Sequence, residues 1–200
     1  MTGVARACCL LALWALGACG TDAAAGADAR TDALTDALTE VAPDAEASTA
    51  TPLCQPVPYD GAATEACTFY ACADALIAGG TCAPTDYVMG FACKYADRYL
   101  SQVHPELSPA GQAFLEGVFV CLQEALVPFV ADAAAAQAAT CPAVAEAGFG
   151  AHVPCYLQNG FCDLPTADIA SIALAIDQPD LENPLQQSAT AEILTLCSER

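Results

Sequence analysis

The chain has 200 residues and a strong excess of negative charge, with 24 acidic side chains against five basic ones, a formal net charge of -19 and a pI near 4.1. This length fits one folded domain with its terminal extensions. A protein with so few cations repels phosphate backbones and anionic lipid heads, which argues against nucleic-acid binding and polybasic membrane association. Any contact with a membrane must then come from a lipid.

The first predicted element is a signal peptide at residues 1–18. Arg6 supplies its one positive charge, and the apolar run from Ala7 to Ala18 is shorter than the roughly 20 residues of a membrane-spanning helix. The segment Leu16-Gly17-Ala18-Cys19 resembles the bacterial lipobox, which implies cleavage before Cys19 and diacylation of its thiol. Two acyl chains hold a protein stably on a membrane. Gly20, in place of an aspartate, favours the outer membrane, while the alternative is an ordinary signal peptide with a chance cysteine.

Residues 19–52 are predicted to form a lipidated, acidic and disordered tether. The part from 20 to 52 carries seven acids and no aromatic residue, so it cannot bury enough apolar surface to offset chain entropy. Its loosely repeated aspartates, as in Thr31-Asp32-Ala33-Leu34, are also compatible with calcium binding. The stretch contains no Asp-x-Asp-x-Asp-Gly ligand loop, however, which favours a solvated spacer.

Residues 53–200 are predicted to form one all-α domain, because their apolar residues recur at helical spacing and alternating strand patterns are missing. Ser108-Pro109 and Asn183-Pro184 are typical helix starts, and Gly79-Gly80 is a typical helix stop. Phe91, Tyr95 and Tyr99 would share one helix face as core residues. The predicted helices cover Thr64–Ala78, Asp86–Val103, Ser108 to Pro128, Phe129–Ala139, Pro142–Ala147, Val153–Gln158, Pro165–Ile176 and a last segment from Asn183 that directs Leu185, Ala189, Ile193, Leu196 and Cys197 inward.

Cysteine is the strongest signal in the chain. Of 13 cysteines, Cys8 and Cys9 leave with the signal peptide and Cys19 takes the lipid, so an even set of ten remains. In an exported protein such a set predicts five intramolecular disulfides, and the lack of Cys-x-x-Cys pairs argues against metal ligation and thioredoxin-like redox chemistry. The even number of cysteines alone does not indicate which of the many possible disulfide pairings forms. The ten are Cys54, Cys67, Cys72, Cys82, Cys93, Cys121, Cys141, Cys155, Cys162 and Cys197.

The order of these cysteines and the residues around them resemble the stanniocalcins, which are secreted, disulfide-rich helical hormones, over roughly Leu53 to Cys197. The matching pieces are Ala66-Cys67-Thr68-Phe69-Tyr70-Ala71-Cys72, Cys93-Lys94, Gly111-Gln112-Ala113-Phe114-Leu115 before Cys121-Leu122, and Cys141, Cys155-Tyr156 and Cys162. The resemblance implies a disulfide pairing of Cys54 with Cys72, Cys67 with Cys93, Cys82 with Cys141, Cys121 with Cys155 and Cys162 with Cys197.

The chain also departs from that family. It continues for three residues after Cys197, without the family's later interchain cysteine, so a covalent dimer is not expected. It has no Asn-x-Ser/Thr glycosylation site, since Asn183 precedes a proline. The lipobox and the tether belong to a bacterial envelope, where endocrine signalling has no obvious meaning. The fold can therefore transfer while the function does not.

Catalytic patterns are weak in this sequence. The only candidate bases for neutral pH are His104 and His152, and each lies close to a proline, which predicts a surface or capping position at a loop or helix boundary. No nucleophile elbow, zinc-protease motif or phosphate loop occurs. A Cys/His pair of His152 with Cys155 conflicts with the even cysteine count. The scattered acids of the C-terminal third are interpreted as solubilising charge: Asp163, Asp168, Asp177, Asp180 and Glu182.

The sequence therefore favours a non-enzymatic extracytoplasmic binding protein without cofactor, catalytic residue or metal site, anchored as a lipoprotein at the cell envelope. The stanniocalcin resemblance implies a protein partner, in its concrete form a secreted metalloproteinase that the domain inhibits. The alternative is a structural envelope lipoprotein without a specific ligand.

Overall fold

The regular elements of the folded part are all helical. The computed structural model describes residues 51–59 and 65–200, which lie within one unit, Ala47–Arg200, and within these ranges there is no strand. The prediction of an all-α, disulfide-rich domain is confirmed. The predicted signal peptide, Cys19 and the tether up to residue 50 lie outside the described residues.

The helices follow the predicted order along the chain and are numbered α1 to α8. Short 3₁₀ turns at Ile77–Gly79, His104–Glu106, Val127–Val130 and Phe161–Asp163 connect or extend them. The helices are α1 (Thr68–Leu76), α2 (a continuous rod of a π-helical Tyr87–Cys93, an α-helical Lys94–Arg98 and a π-helical Tyr99–Val103), α3 (Pro109–Leu126), α4 (Ala133–Ala138), α5 (Cys141–Gln158), α6 (Thr166–Leu174), α7 (Gln178–Leu181) and α8 (Pro184–Ser198).

Helix α3 is the central core helix. Ser108 caps it by accepting a hydrogen bond from the Gly111 N–H, and Pro109 occupies the first turn, as predicted. Together with the turn that follows, Pro109–Val130 is long and apolar enough to cross a membrane by length and composition alone. Its buried residues account for that apolar character inside the domain: Phe114, Leu115, Val118, Phe119, Leu122 and Leu126.

Helix α2 places its aromatic residues against this core. Tyr95 and Tyr99 are buried, Phe91 is partly buried, and neighbouring rings lie 4.7 Å and 5.9 Å apart between centroids. The predicted shared face of Phe91, Tyr95 and Tyr99 is therefore confirmed. The predicted helix stop at Gly79-Gly80 also holds, since both glycines have left-handed backbone angles, φ +68° and +72°.

Helix α5 corrects the sequence prediction of two short helices at 142–147 and 153–158. The structure has one helix that runs through Pro154. A proline removes one helical hydrogen bond, here to the carbonyl of Gly150, but that residue is exposed to solvent. The Thr140 cap and the bridge at Cys155 fix the two ends of the helix, so packing outweighs the local preference of proline.

Five disulfides join all ten cysteines of the described residues, and the pairs are those that the resemblance implies. The loops they close separate the paired cysteines by 18, 26, 59, 34 and 35 residues in chain order. By the loop-entropy model each such bridge contributes about 2–4 kcal/mol to stability. The pairs are Cys54–Cys72, Cys67–Cys93, Cys82–Cys141, Cys121–Cys155 and Cys162–Cys197.

Candidate functional site

A surface groove lies between helices α5 and α8. The groove has a volume of about 260 Å³, and one face of each of the two helices lines it. The α5 face comprises residues at positions 146, 149, 150, 153 and 154, and the α8 face residues at 185, 188, 189 and 192, which is the spacing of a single helical stripe. The lining is apolar apart from Ser188 and one glutamate on each helix, Glu146 and Glu192.

Helices α6 to α8 carry four of the five large apolar side chains that are exposed in the described residues. Among the described residues, Leu174 is 75% exposed, Leu194 55%, Leu181 44% and Leu185 39%, and all four lie on helices α6 to α8. The remaining large exposed apolar side chain of the described residues is Leu53, which precedes α1 in the chain. The sequence prediction that Leu185 points inward is thus wrong in part, whereas Ala189 and Ile193 of the same stripe are buried as predicted.

A much smaller cavity of about 20 Å³ lies inside the domain and is lined by residues of helices α1, α2, α3, α5 and α8 and by Ile176. Tyr70, Tyr87, Tyr156, His152 and Gln186 are among its lining residues. It has room for about one water molecule and not for an organic substrate. The Gln186 side chain reaches it with a buried Oε1 that has no hydrogen-bond partner. The cavity is therefore a packing feature of an aromatic core, not a substrate pocket.

His152 belongs to this aromatic core, which corrects its prediction as a surface or capping residue. Its side chain is buried against the rings of Phe149 and Tyr156, both 5.7 Å away between centroids. Its Nδ1 donates a hydrogen bond to the Gly148 carbonyl at 2.8 Å, which fixes the neutral tautomer. Burial lowers the pKa of His152 to about 4, although hydrogen bonds to the backbone oppose that shift.

The bond between Cys121 and Cys155 removes the thiol that a Cys/His pair would need. The sulfur of Cys155 is bonded to that of Cys121 in a disulfide, so His152, three residues earlier, has no thiol beside it to activate. The same reasoning applies to a cluster at one end of α5. Cys82, Cys141 and Asp86 approach one another closely, but both sulfurs are bonded to each other and do not offer thiolate ligands.

Two of the acids predicted as solubilising charge instead hold the α6–α7 connection to helix α2. Lys94 Nζ lies 2.6 Å from carboxylate oxygens of both Asp177 and Asp180, and Arg98 forms two parallel contacts to Asp177 at 2.8 Å and 3.1 Å. Tyr95 lies between the two cations, donates its hydroxyl to Asp180 and accepts the Asp177 N–H. We call these five residues the α2 latch.

The electrostatics of the latch follow from these contacts. Hydrogen bonds from Arg98 and Lys94 lower the pKa of Asp177 to about 2. Burial opposes ionisation of Asp180, but hydrogen bonds from Lys94 and Tyr95 outweigh it, and the pKa of Asp180 falls below its ordinary value. Two of the three basic residues in the described part of the chain are thus neutralised inside the domain, and the third is Arg200.

A third acid, Asp168, is buried and also corrects the prediction of a solvated charge. It accepts hydrogen bonds from the Ser108 N–H and hydroxyl, so it ties α6 to the start of α3. His104 likewise is packed, with its Nε2 2.8 Å from Glu116 and its ring 4.8 Å from that of Tyr59. Both groups therefore hold elements together. Asp163 and Glu182 are exposed, as predicted.

Sequence reasoning did not find the groove. It depends on which faces of α5 and α8 are left uncovered, and the assignment of α5 as two helices separated the residues that line it. The sequence carries no signal that distinguishes Gly150, which is exposed in this groove, from Gly148, which is buried two residues earlier.

The disulfides indicate an oxidising, extracytoplasmic compartment for the folded domain. No family model, curated protein or solved structure matches this chain.

Proposed function

We propose that this chain is a non-enzymatic, extracytoplasmic protein-binding module of stanniocalcin type, held at the bacterial cell envelope by a lipid on Cys19. The observation that carries the proposal is the uneven distribution of exposed apolar residues: helices α6 to α8 hold four of the five large ones in the described residues, and one of these, Leu185, lines an apolar groove. Apolar surface gathered on one part of a protein is typical of a surface that another protein covers. The disulfides give that surface a rigid support, which limits the entropy lost on binding.

The chemistry of the described residues supports binding over catalysis. His152 is buried and neutral, and His104 forms a hydrogen bond with Glu116. The buried Asp168 accepts a hydrogen bond from the Ser108 hydroxyl. A hydrolase needs a nucleophile aligned with a base in a cleft that admits substrate. The groove contains neither histidine nor a free thiol among its lining residues.

The stanniocalcin resemblance suggests a secreted zinc metalloproteinase as the partner, which the domain would inhibit. The test is to titrate the purified mature protein into secreted zinc proteases with a fluorogenic peptide substrate. We expect one of them to be slowed, and the effect to weaken when Leu174→Gln and Leu194→Gln are combined. The matched control is Leu53→Gln, at an exposed leucine outside helices α6 to α8.

Failure of the folded protein to bind any secreted or envelope protein would contradict this proposal and favour a structural lipoprotein. The reduced and alkylated protein serves as a second control, because it keeps the composition but loses the arrangement of α6 to α8. The lipid anchor has its own test: the parent protein should incorporate a labelled fatty acid, and Cys19→Ser should abolish that incorporation. Labelling that persists in Cys19→Ser would contradict acylation of Cys19.

A further inference from the structure

We propose that the α5–α8 groove binds an amphipathic, basic segment of the partner protein, with its apolar side chains in the groove and its lysine or arginine side chains against Glu146 and Glu192. This inference rests on the proposed binding function and adds where the partner binds and what chemistry it carries.

The dimensions of the groove favour part of a macromolecule over a whole small ligand. Its volume of about 260 Å³ is below the roughly 300–1,000 Å³ of clefts that enclose small ligands. Its two walls each span about two helical turns, roughly 12 Å at 1.5 Å per residue. A groove of this length accommodates the apolar side chains that a partner helix presents at i, i+3 and i+4.

The floor of the groove is built for close approach. A Cβ added at Gly150 would meet no atom within 4 Å, so the backbone of α5 is open to a partner at that point. Val153, Pro154 and Leu185 provide apolar surface around it. Leu185 is 39% exposed, so an apolar partner removes surface from water that the domain itself leaves uncovered.

The negative charge around the groove indicates which kind of segment binds there. Glu146 and Glu192 are exposed and flank an otherwise uncharged lining. A second copy of this chain brings a net charge of -19, and its own segment 20–52 carries seven acids against Arg30, so both repel this surface. A segment with lysine or arginine beside its apolar face is attracted by the two glutamates and by the field of the domain.

The probe for the test is a synthetic helical peptide of leucine and lysine, about 14 residues or four turns long, with all leucines on one face. Its affinity for the purified mature protein is measured by calorimetry. The decisive variant is Gly150→Leu, which places a large side chain in the groove from a position where a Cβ meets no atom within 4 Å, and which leaves the net charge unchanged. The matched control is Ala113→Leu, an exposed position on α3 outside the groove.

We expect Gly150→Leu to weaken binding at least about tenfold and Ala113→Leu to leave the affinity unchanged. Glu146→Lys with Glu192→Lys should weaken binding by a similar factor, whereas Glu106→Lys with Glu124→Lys, which changes the charge equally at exposed sites elsewhere, should have a much smaller effect. Circular dichroism and thermal melting confirm that every variant is folded.

Two results overturn the proposal. One is the lack of binding by the parent protein, and the other is equal affinity for the parent and Gly150→Leu, which means that general negative charge holds the peptide. The proposed function has a separate readout. A natural partner that binds Gly150→Leu as tightly as the parent places its site elsewhere and leaves the binding function standing.

Discussion

His152 shows how the local sequence around a residue can predict the wrong position for it in the fold. Its neighbours His152-Val153-Pro154 are typical of a helix boundary, but tertiary packing carries the helix through Pro154 and takes the imidazole into an aromatic core. Burial of that kind depends on Phe149 and Tyr156 on the same helix and on Phe91 from α2. Local sequence does not contain the contact with Phe91, so it could not be predicted.

The buried imidazole predicts a loss of stability in mild acid. The pKa of His152 is about 4 in the folded protein and 6.5 in a solvated chain, so between these values the unfolded state binds more protons and the folded state becomes less stable as the pH falls. The loss from pH 7 to about pH 4.5 should be roughly 2–3 kcal/mol. Urea unfolding at both pH values measures it, and His152→Phe should reduce it. His104→Gln, the control, should keep it, and an equal loss in His152→Phe would show that other groups are responsible.

Two glycines on one helix should respond to alanine with opposite signs. A Cβ at Gly148 would lie 2.2 Å from ring atoms of the buried Tyr87, so Gly148→Ala should lower the free energy of unfolding by about 1–3 kcal/mol. A Cβ at Gly150 meets nothing, so Gly150→Ala should raise it by about 0.5–1 kcal/mol through helix propensity. Thermal or urea unfolding of the pair measures both. Equal effects of the two substitutions would contradict the packing of Tyr87 over α5.

At the scale of elements, local signals predicted the helix starts and tertiary contacts decided the rest. Ser108-Pro109 and Asn183-Pro184 begin helices because side-chain caps and first-turn prolines act within a few residues. The short α7 was not predicted, since its position depends on Asp177 and Asp180 reaching back to α2. Charges interpreted as solvated can thus be the contacts that fix a connection.

The α2 latch predicts an acid-dependent contribution from Asp177. Its pKa is lowered from 3.8 to about 2, so its stabilising effect is present above the higher value and is lost as the pH falls through the lower one. Asp177→Asn should therefore reduce the melting temperature near neutral pH, and the difference from the parent should disappear by about pH 2. Scanning calorimetry across that range measures it. Asp163→Asn, at an exposed acid, should show little effect at any pH. A difference that persists at about pH 2 would mean that the amide disturbs packing instead.

At the scale of the whole molecule, the even number of exported cysteines predicted a disulfide-stapled domain, and the helical spacing of the apolar residues predicted its helical class. The sequence did not predict the groove, because its walls come from two helices that are about 40 residues apart in the chain. The groove is open only because no other described element of the domain packs over these two helix faces, and tertiary structure decides that. The surface that we propose for binding is therefore the property least visible in the sequence.

The bridge Cys162–Cys197 predicts where the domain is weakest without it. It alone among the described disulfides reaches the segment from α6 to α8. Replacing both cysteines by serine should lower stability by roughly 2–5 kcal/mol and speed amide hydrogen exchange in α8 more than in α3. Exchange mass spectrometry measures the distribution. The double replacement at Cys54 and Cys72 is the control, and it should leave exchange in α8 unchanged; uniform acceleration in both variants would contradict a local role of the C-terminal bridge.

The order of the bridges also determines how the molecule carries tension. Four of them overlap along the chain, so every peptide bond from Cys54 to Cys155 lies inside at least one covalent ring, and the fifth encloses Cys162 to Cys197. The backbone between Cys155 and Cys162 lies in no ring. A pulling force applied between the N-terminal part of the domain and α8 is carried across this stretch by the single polypeptide backbone. One proteolytic nick there separates α6 to α8 covalently from the rest of the domain, whereas a nick inside either ringed block leaves its pieces attached.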